Sequence, residues 1–211
     1  MSARLLYEDD AVIAVDKPAG TASIRERDVS APCLHVELER ARGERLFVVH
    51  RLDKEVSGVI LFARTAAAHR ALSMSFEARE VDKRYHAIVD GALEGERAVT
   101  LSLREFGSGR VGADALRGKP CETRVSLVAQ GGGVSLVDAQ PITGRRHQIR
   151  AHLYAIGHPI LGDRRYGDGA RAATEPRLFL HARELSVPHP TTRERLKVSC
   201  AAPEAFSERL R

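Results

Sequence analysis

The sequence predicts an α+β fold built on a largely antiparallel mixed sheet flanked by helices and loops. Three observations carry this. Short apolar runs of strand length recur along the chain, only two segments hold a helical period, and strict strand–helix alternation is absent. The runs LLY (5–7) and AVIAV (11–15) flank Glu8-Asp9-Asp10 and read as a hairpin, after which Lys17-Pro18-Ala19-Gly20 signals a turn. LFVV (46–49) and VILFA (59–63) are unbroken apolar runs of the length of a buried strand. Residues 66–80 place Ala68, Leu72 and Phe76 at i, i+4 and i+8 behind Thr65, a natural N-cap, and predict the first helix. Residues 85–90, 97–103, 121–129 and 134–139 predict further strands, the last two separated by the run Gly131–Gly133. The second helix is expected over 145–156, with Ile149, Leu153 and Ile156 on one face, Thr143 or Gly144 at its start, and Gly157 and Pro159 to stop it. Residues 178–187 and 195–200 close the chain as a hairpin around HPTTRE, and linkers are expected at 25–33 and 104–120.

Length and composition bound the function. A chain of 211 residues is long enough for a sizeable core and is read as a single domain over 1–211. Hydrophobic content of 43% with 29% charge excludes wholesale disorder. No apolar run approaches the roughly 18 residues of a membrane helix. The first twenty residues carry acids where a signal peptide needs an apolar stretch. Cys33, Cys121 and Cys200 are odd in number and lack CxxC spacing, which fits a reducing cytoplasm and neither a disulfide framework nor a zinc knuckle. Of 33 basic residues 28 are Arg, and the pI is near 9.4. Codon bias accounts for such an excess as readily as a forked donor chosen for phosphates and base edges. The expectation is a cytoplasmic monomer, away from membranes, with an anionic partner.

Two constellations carry chemistry. His50-Arg51-Leu52-Asp53-Lys54-Glu55-Val56-Ser57-Gly58 lies between two apolar strand candidates, where a short loop is held by rigid elements. An Asp there serves as a turn former or as a reacting carboxylate. The second constellation is Pro141-Ile142-Thr143-Gly144-Arg145-Arg146-His147-Gln148-Ile149-Arg150-Ala151-His152. Residues 141–171 hold six Arg against only Asp163 and Asp168, and unpaired positive charge at a helix start suits phosphate. Arg146 and Arg150 fall on a flank of the expected helix, so a solvated basic face is the competing reading. Were Asp53 and Arg150 to meet, the carboxylate would be held ionised and fixed in plane. His50, His147, His152, His158 and His181 lack metal-ligand spacing, so no metal is expected.

These residues carry a resemblance. HRLDKEVSG resembles the HRLDxxTSG signature of the RluA family of RNA pseudouridine synthases. Lys17-Pro18-Ala19-Gly20 resembles its KPxG turn, and Lys83-Arg84-Tyr85-His86-Ala87 with Gly91 its KxYxA…G strand. PITGRRHQIRAHLYAIGHPILGDRRYG (141–167) and LHARELSVPHP (180–190) are similar to its later blocks, in family order. Val56 stands where Thr is usual, Arg146 where a small Thr or Ser is usual, and residues 21–31 depart from the usual continuation. The chain resembles a short form without the family's N-terminal RNA-binding domain.

The resemblance implies the pseudouridine synthase fold with a central RNA-binding cleft. It also implies isomerisation of specific uridines in ribosomal or transfer RNA by base flipping, a reaction that requires neither cofactor nor metal. Asp53 becomes the essential carboxylate, attacking C1′ or taking the 2′ proton. Tyr85 becomes the aromatic against the uracil and a base for the C5 proton, and Arg150 the partner of Asp53. Arg51 becomes the guanidinium that recovers part of the unstacking cost of the flipped base, or else a phosphate clamp. Arg145, Arg146 and His147 become RNA contacts. A binder that kept the fold and lost catalysis is the alternative from another class, and tritium release from C5-labelled uridine separates the two. A glycosidase would need a second cooperating acid, and none stands out.

Overall fold

Every position of the segment Ser57–Ala63 is buried, as a continuous apolar run requires when both faces of a strand are covered. The rest of the fold is arranged around such strands. A computed structural model of the protein describes residues 3–25, 32–107 and 109–211. In chain order its elements are β1 (Arg4–Glu8), β2 (Val12–Lys17), α1 (Leu34–Arg42), β3 (Phe47–Val48), β4 (Ser57–Ala63), α2 (Ala66–Glu77), β5 (Asp82–Asp90), β6 (Glu96–Glu105), β7 (Val111–Ala113), β8 (Lys119–Gly131), β9 (Val134–Pro141), α3 (Gln148–Ala155), α4 (Gly169–Thr174), β10 (Leu180–Pro188), β11 (Arg195–Ser199) and α5 (Ala205–Glu208). The chain divides into two compact units, Met1–Lys83 with Ala182–Ala201, and Arg84–His181 with Ala202–Arg211.

In the first unit the strands lie in the order β1-β2-β4-β10, with β3 beside β4 and β11 beside β10. The β1–β2 hairpin and the antiparallel β2–β4 register, from Val12↔Ala63 to Lys17↔Gly58, put Val12, Ala14, Val59 and Leu61 into one core. Helix α2 covers that core with Ala68 and Leu72. Its N-cap is Thr65, whose hydroxyl accepts the Ala68 amide, as its sequence implied. Full burial of Leu72 is worth roughly 2 kcal/mol. Gly58 has φ +117, and a Cβ there would lie 2.2 Å from the Ala182 carbonyl oxygen. The glycine of the SG pair is what lets β10 approach β4.

In the second unit the order is β5-β9-β8-β6-β7, antiparallel at every register from Tyr85↔Ala139 to Glu105↔Val111. Helix α3 contributes Ala151 to a cluster with Leu103, Val111, Cys121 and Tyr166. Gly162 has φ +72, and a Cβ on it would stand 1.8 Å from the Arg177 carbonyl oxygen, so the turn leading into Asp163 requires glycine.

The α+β class and the antiparallel sheet agree with expectation, and three details differ. The expected linker 104–120 contains strand β7. Of the linker at 25–33, residues 26–31 lie outside the described residues. Helix α1 was not foreseen, because only Leu34 of its nine residues is buried and no apolar stripe marks it. Helix α3 begins at Gln148 rather than 145, behind His147 in the left-handed conformation (φ 51), so neither Thr143 nor Gly144 caps it. Among the described residues no helix is long and apolar enough to cross a membrane.

Candidate active site

Asp53 belongs to the first unit, in the turn that connects β3 to β4, where the Val56 amide donates to the Asp53 carbonyl at 3.1 Å. Its neighbours are tied down through their main chains. Ser23 Oγ donates to the Leu52 carbonyl at 2.7 Å and accepts the Leu52 amide at 3.1 Å. Lys17, fully buried at the end of β2, directs its ammonium to the carbonyls of Pro18, Thr21 and Lys54 at 3.0, 2.6 and 3.1 Å. The Gly20 amide donates to the Lys54 carbonyl as well, at 2.8 Å. A buried ammonium is tolerated only with such a set of acceptors. The result is a loop clamped on both sides of Asp53, with the aspartate itself partly exposed.

Leu52 and Val56 are the apolar anchors of the same loop, both buried. Val56 therefore takes the place of the usual Thr inside the core, where a hydroxyl would need a partner. His50 precedes the loop. Its Nε2 accepts the Leu61 amide at 3.0 Å and its ring stacks on Phe76. Burial, with a smaller contribution from the Lys83 charge, pushes its pKa down to about 3. Burial also lowers the Lys83 pKa. His50 is thus a neutral acceptor that pins the strand, not a proton carrier near neutral pH. Arg51 is exposed.

The second unit holds the other candidates. Arg150 is buried, which rules out for it the competing reading of a solvated basic face. Its Nε and Nη2 donate to the two oxygens of Asp163, both at 2.7 Å, in a bidentate pair. Asp163 Oδ1 accepts the amides of Arg165 and Tyr166 in addition. Fixed plane to plane, the guanidinium is held more firmly than an ammonium could be. Its Cζ lies 5.2 Å from the ring centre of Tyr166. The Tyr166 hydroxyl accepts the Val111 amide at 2.9 Å and meets His147 Nδ1 at 3.0 Å, while burial, the dominant influence, raises its pKa.

The turn ahead of α3 is organised by Gln148. Its Oε1 accepts the Thr143 hydroxyl and the Arg145 amide, and its Nε2 donates to the Glu122 carbonyl and the Thr123 hydroxyl. All four positions of the amide are engaged, so the Arg145–His147 turn is locked to β8. Arg145 and Arg146 are exposed, and Arg146 pairs with Glu105. His147 is half-buried, its ring edge-on to that of Tyr166 and its Nδ1 3.0 Å from the Tyr166 hydroxyl. Tyr85 sits partly buried on β5 opposite Ala139, whose small side chain leaves room on that face. Sequence reasoning missed Asp163, Gln148 and Ser23. Asp163 had one visible signal, as one of only two acids among the six Arg of residues 141–171.

A family model described as RNA pseudouridylate synthase matches residues 11–155, more than half of the chain and including both the Asp53 loop and α3. The chain belongs to the RNA pseudouridylate synthase family. It is 38% identical over 208 residues to the dual-specificity RNA pseudouridine synthase RluA of Pasteurella multocida, covering 96% of this chain and 93% of that one. It is 37% identical over 205 residues to the ribosomal large subunit pseudouridine synthase C of Haemophilus ducreyi, covering 92% of this chain and 64% of the relative. The chain thus spans just under two thirds of the length of that larger synthase. Among solved structures it is similar to human RNA Pseudouridylate Synthase Domain Containing 1, with a TM-score of 0.83 at 28% identity, covering 95% of this chain and 84% of the other. The family resemblance and the fold class that it implied are both borne out.

Proposed function

We propose that the protein isomerises uridine to pseudouridine in ribosomal or transfer RNA, in the cytoplasm. The observation that carries this reading is the clamped Asp53 loop inside the segment matched by the family model. The N1–C1′ bond breaks, the uracil turns, C5 bonds to C1′, and the C5 proton is exchanged for one on N1. Asp53 supplies the carboxylate at the ribose, by attack on C1′ or by taking the 2′ proton, and either route requires a carboxylate whose position does not drift. Tyr85 stacks on the uracil and, as the phenolate, takes the C5 proton. Arg150, oriented by Asp163, is assigned to the catalytic set with Asp53 and Tyr85. Arg51 takes part in flipping, and Arg145, Arg146 and His147 belong to the RNA contact surface. The whole chain acts as one catalytic module, with RNA as its partner.

Tritium release from bulk RNA labelled at C5 of uridine tests the reading. The wild-type protein should release tritium catalytically. Asp53→Asn should abolish release while RNA affinity stays within a few-fold, since phosphate contacts dominate affinity. Binding without release by the wild type would make the protein an RNA binder that keeps the fold. Turnover by Asp53→Asn near the wild-type rate would remove Asp53 from the chemistry.

A further inference from the structure

Two aromatic rings of the second unit are exposed where a core ring would be hidden. Phe106, in the turn between β6 and β7, is 42% exposed, and Tyr154 on α3 is 46% exposed. Neither ring is loose. The Phe106 ring lies against Gly112, where an added Cβ would stand 3.1 Å from its Cε2, and the Arg104 guanidinium sits over it at 5.6 Å. The Arg110 guanidinium sits over Tyr154 at 4.9 Å. The turn that joins them is closed by the Phe106 amide on the Arg110 carbonyl and the Gly109 amide on the Phe106 carbonyl. Arg165 latches this turn from outside, donating to the Gly109 carbonyl at 2.9 Å.

Charge and shape agree on the kind of partner. The surroundings hold Arg104, Arg110, Arg146 and Arg165, with Asp114 paired to Arg104 and Glu105 to Arg146. A surface with cationic excess and pre-oriented, half-exposed rings combines the two features that bind unpaired nucleic acid: guanidinium groups for the phosphates and flat faces for the bases.

We propose that the Phe106 and Tyr154 rings, with Arg104 and Arg110 against them, form a stacking surface for unpaired nucleotides of the RNA that flank the modified uridine. The proposal deepens the reading of the protein as an RNA-modifying enzyme and assigns its flanking-strand contact to Phe106 and Tyr154. A ring held by its neighbours loses little freedom when a base stacks on it, so the surface is preorganised. Because the Arg104 and Arg110 guanidinium groups already lie against these rings, a stacked base adds a third layer instead of displacing an aromatic contact.

The test is binding, measured by fluorescence anisotropy at one fixed salt concentration. The probes are a labelled twelve-nucleotide oligouridylate and a twelve-unit abasic RNA with the same phosphates. The wild-type protein should prefer the oligouridylate by at least about fivefold, the low end of what one stacked base contributes. Phe106→Leu, which keeps apolar bulk and removes the π face, should lose most of that preference, whereas Phe106→Tyr should keep it within about twofold. Tyr154→Leu provides the same comparison at the second ring should Phe106→Leu fold poorly. Equal binding of both probes by the wild type overturns the proposal, and so does an unchanged preference in both Leu variants. Undiminished oligouridylate binding by Phe106→Leu would mark the surface as an apolar contact for protein. Because these measurements read binding without turnover and tritium release reads turnover, failure of the isomerase reading and failure of the stacking surface are separately visible.

Discussion

The Asp53 loop and the start of α3 solve the same problem by opposite means. Asp53 is positioned through main-chain groups: Ser23 holds Leu52 at both its amide and carbonyl, and Lys17 with Gly20 holds the Lys54 carbonyl. Arg150 is positioned through its own side chain, clasped bidentately by a carboxylate thirteen residues further on. In the first device the bonds run to the main chain on either side of the aspartate. The second buries a charge with its counter-charge, so that removing either partner is felt by the fold as well as by the site. A short carboxylate needs its backbone fixed, whereas a long guanidinium has rotatable bonds that only a partner at its head can fix.

That contrast predicts the heaviest loss at the buried pair. Asp163→Asn leaves the guanidinium without its charged partner and should destabilise the protein by about 3–5 kcal/mol, read as a lowered midpoint in urea unfolding. Arg150→Lys keeps the charge and loses the fork. Its single-turnover rate at saturating enzyme should fall by about 10²-fold or more. A rate near wild type would leave Arg150 with a binding role only.

A smaller effect is expected at the main-chain clamp. Ser23→Ala strands the buried Leu52 amide and carbonyl, at a cost of about 1–3 kcal/mol. Since those groups adjoin Asp53, turnover should fall more than RNA affinity, and Ser23→Thr should restore part of it. If kcat is unchanged while stability drops, the clamp is structural alone and the comparison between the two regions loses its functional half.

The mildest effect is set by pH. His50 has a folded pKa of about 3 against an ordinary value of 6.5. The unfolded chain therefore binds the proton first, and the stability contributed by the neutral ring is present above pH 6.5 and lost as pH falls toward 3. Between pH 7 and pH 5 the loss should be no more than about 2 kcal/mol. His50→Gln, which keeps an acceptor for the Leu61 amide, should flatten the pH dependence of the unfolding midpoint over that interval. An unaltered slope would place the titration elsewhere.

Legibility in the sequence followed the same division. The β1–β2 hairpin, the run of β4 and the β8–β9 hairpin were readable because local alternation and turn residues specify them, and Thr65 capped α2 as its position implied. Asp53, Arg51, Tyr85 and Arg150 were singled out through motifs, and the loop bearing Asp53 lies where the flanking apolar runs put it. Helix α1 escaped notice because a helix that buries little more than Leu34 carries no period to read. The burial of Arg150 escaped as well, because nothing at positions 145–156 announces a partner at Asp163.

Composition and pattern by themselves determined the α+β class, the antiparallel pairing and the family, since each depends on periodicity, turns and motif order along the chain. Which polar groups share a hydrogen bond was decided in three dimensions. Ser23 with Leu52, Gln148 with Glu122 and Thr123, and Arg150 with Asp163 are separated by thirteen to twenty-nine residues. The physical reason is that a buried polar atom must find a partner wherever the fold places one. Local sequence sets the donor and the acceptor, and their meeting depends on how strands and turns return.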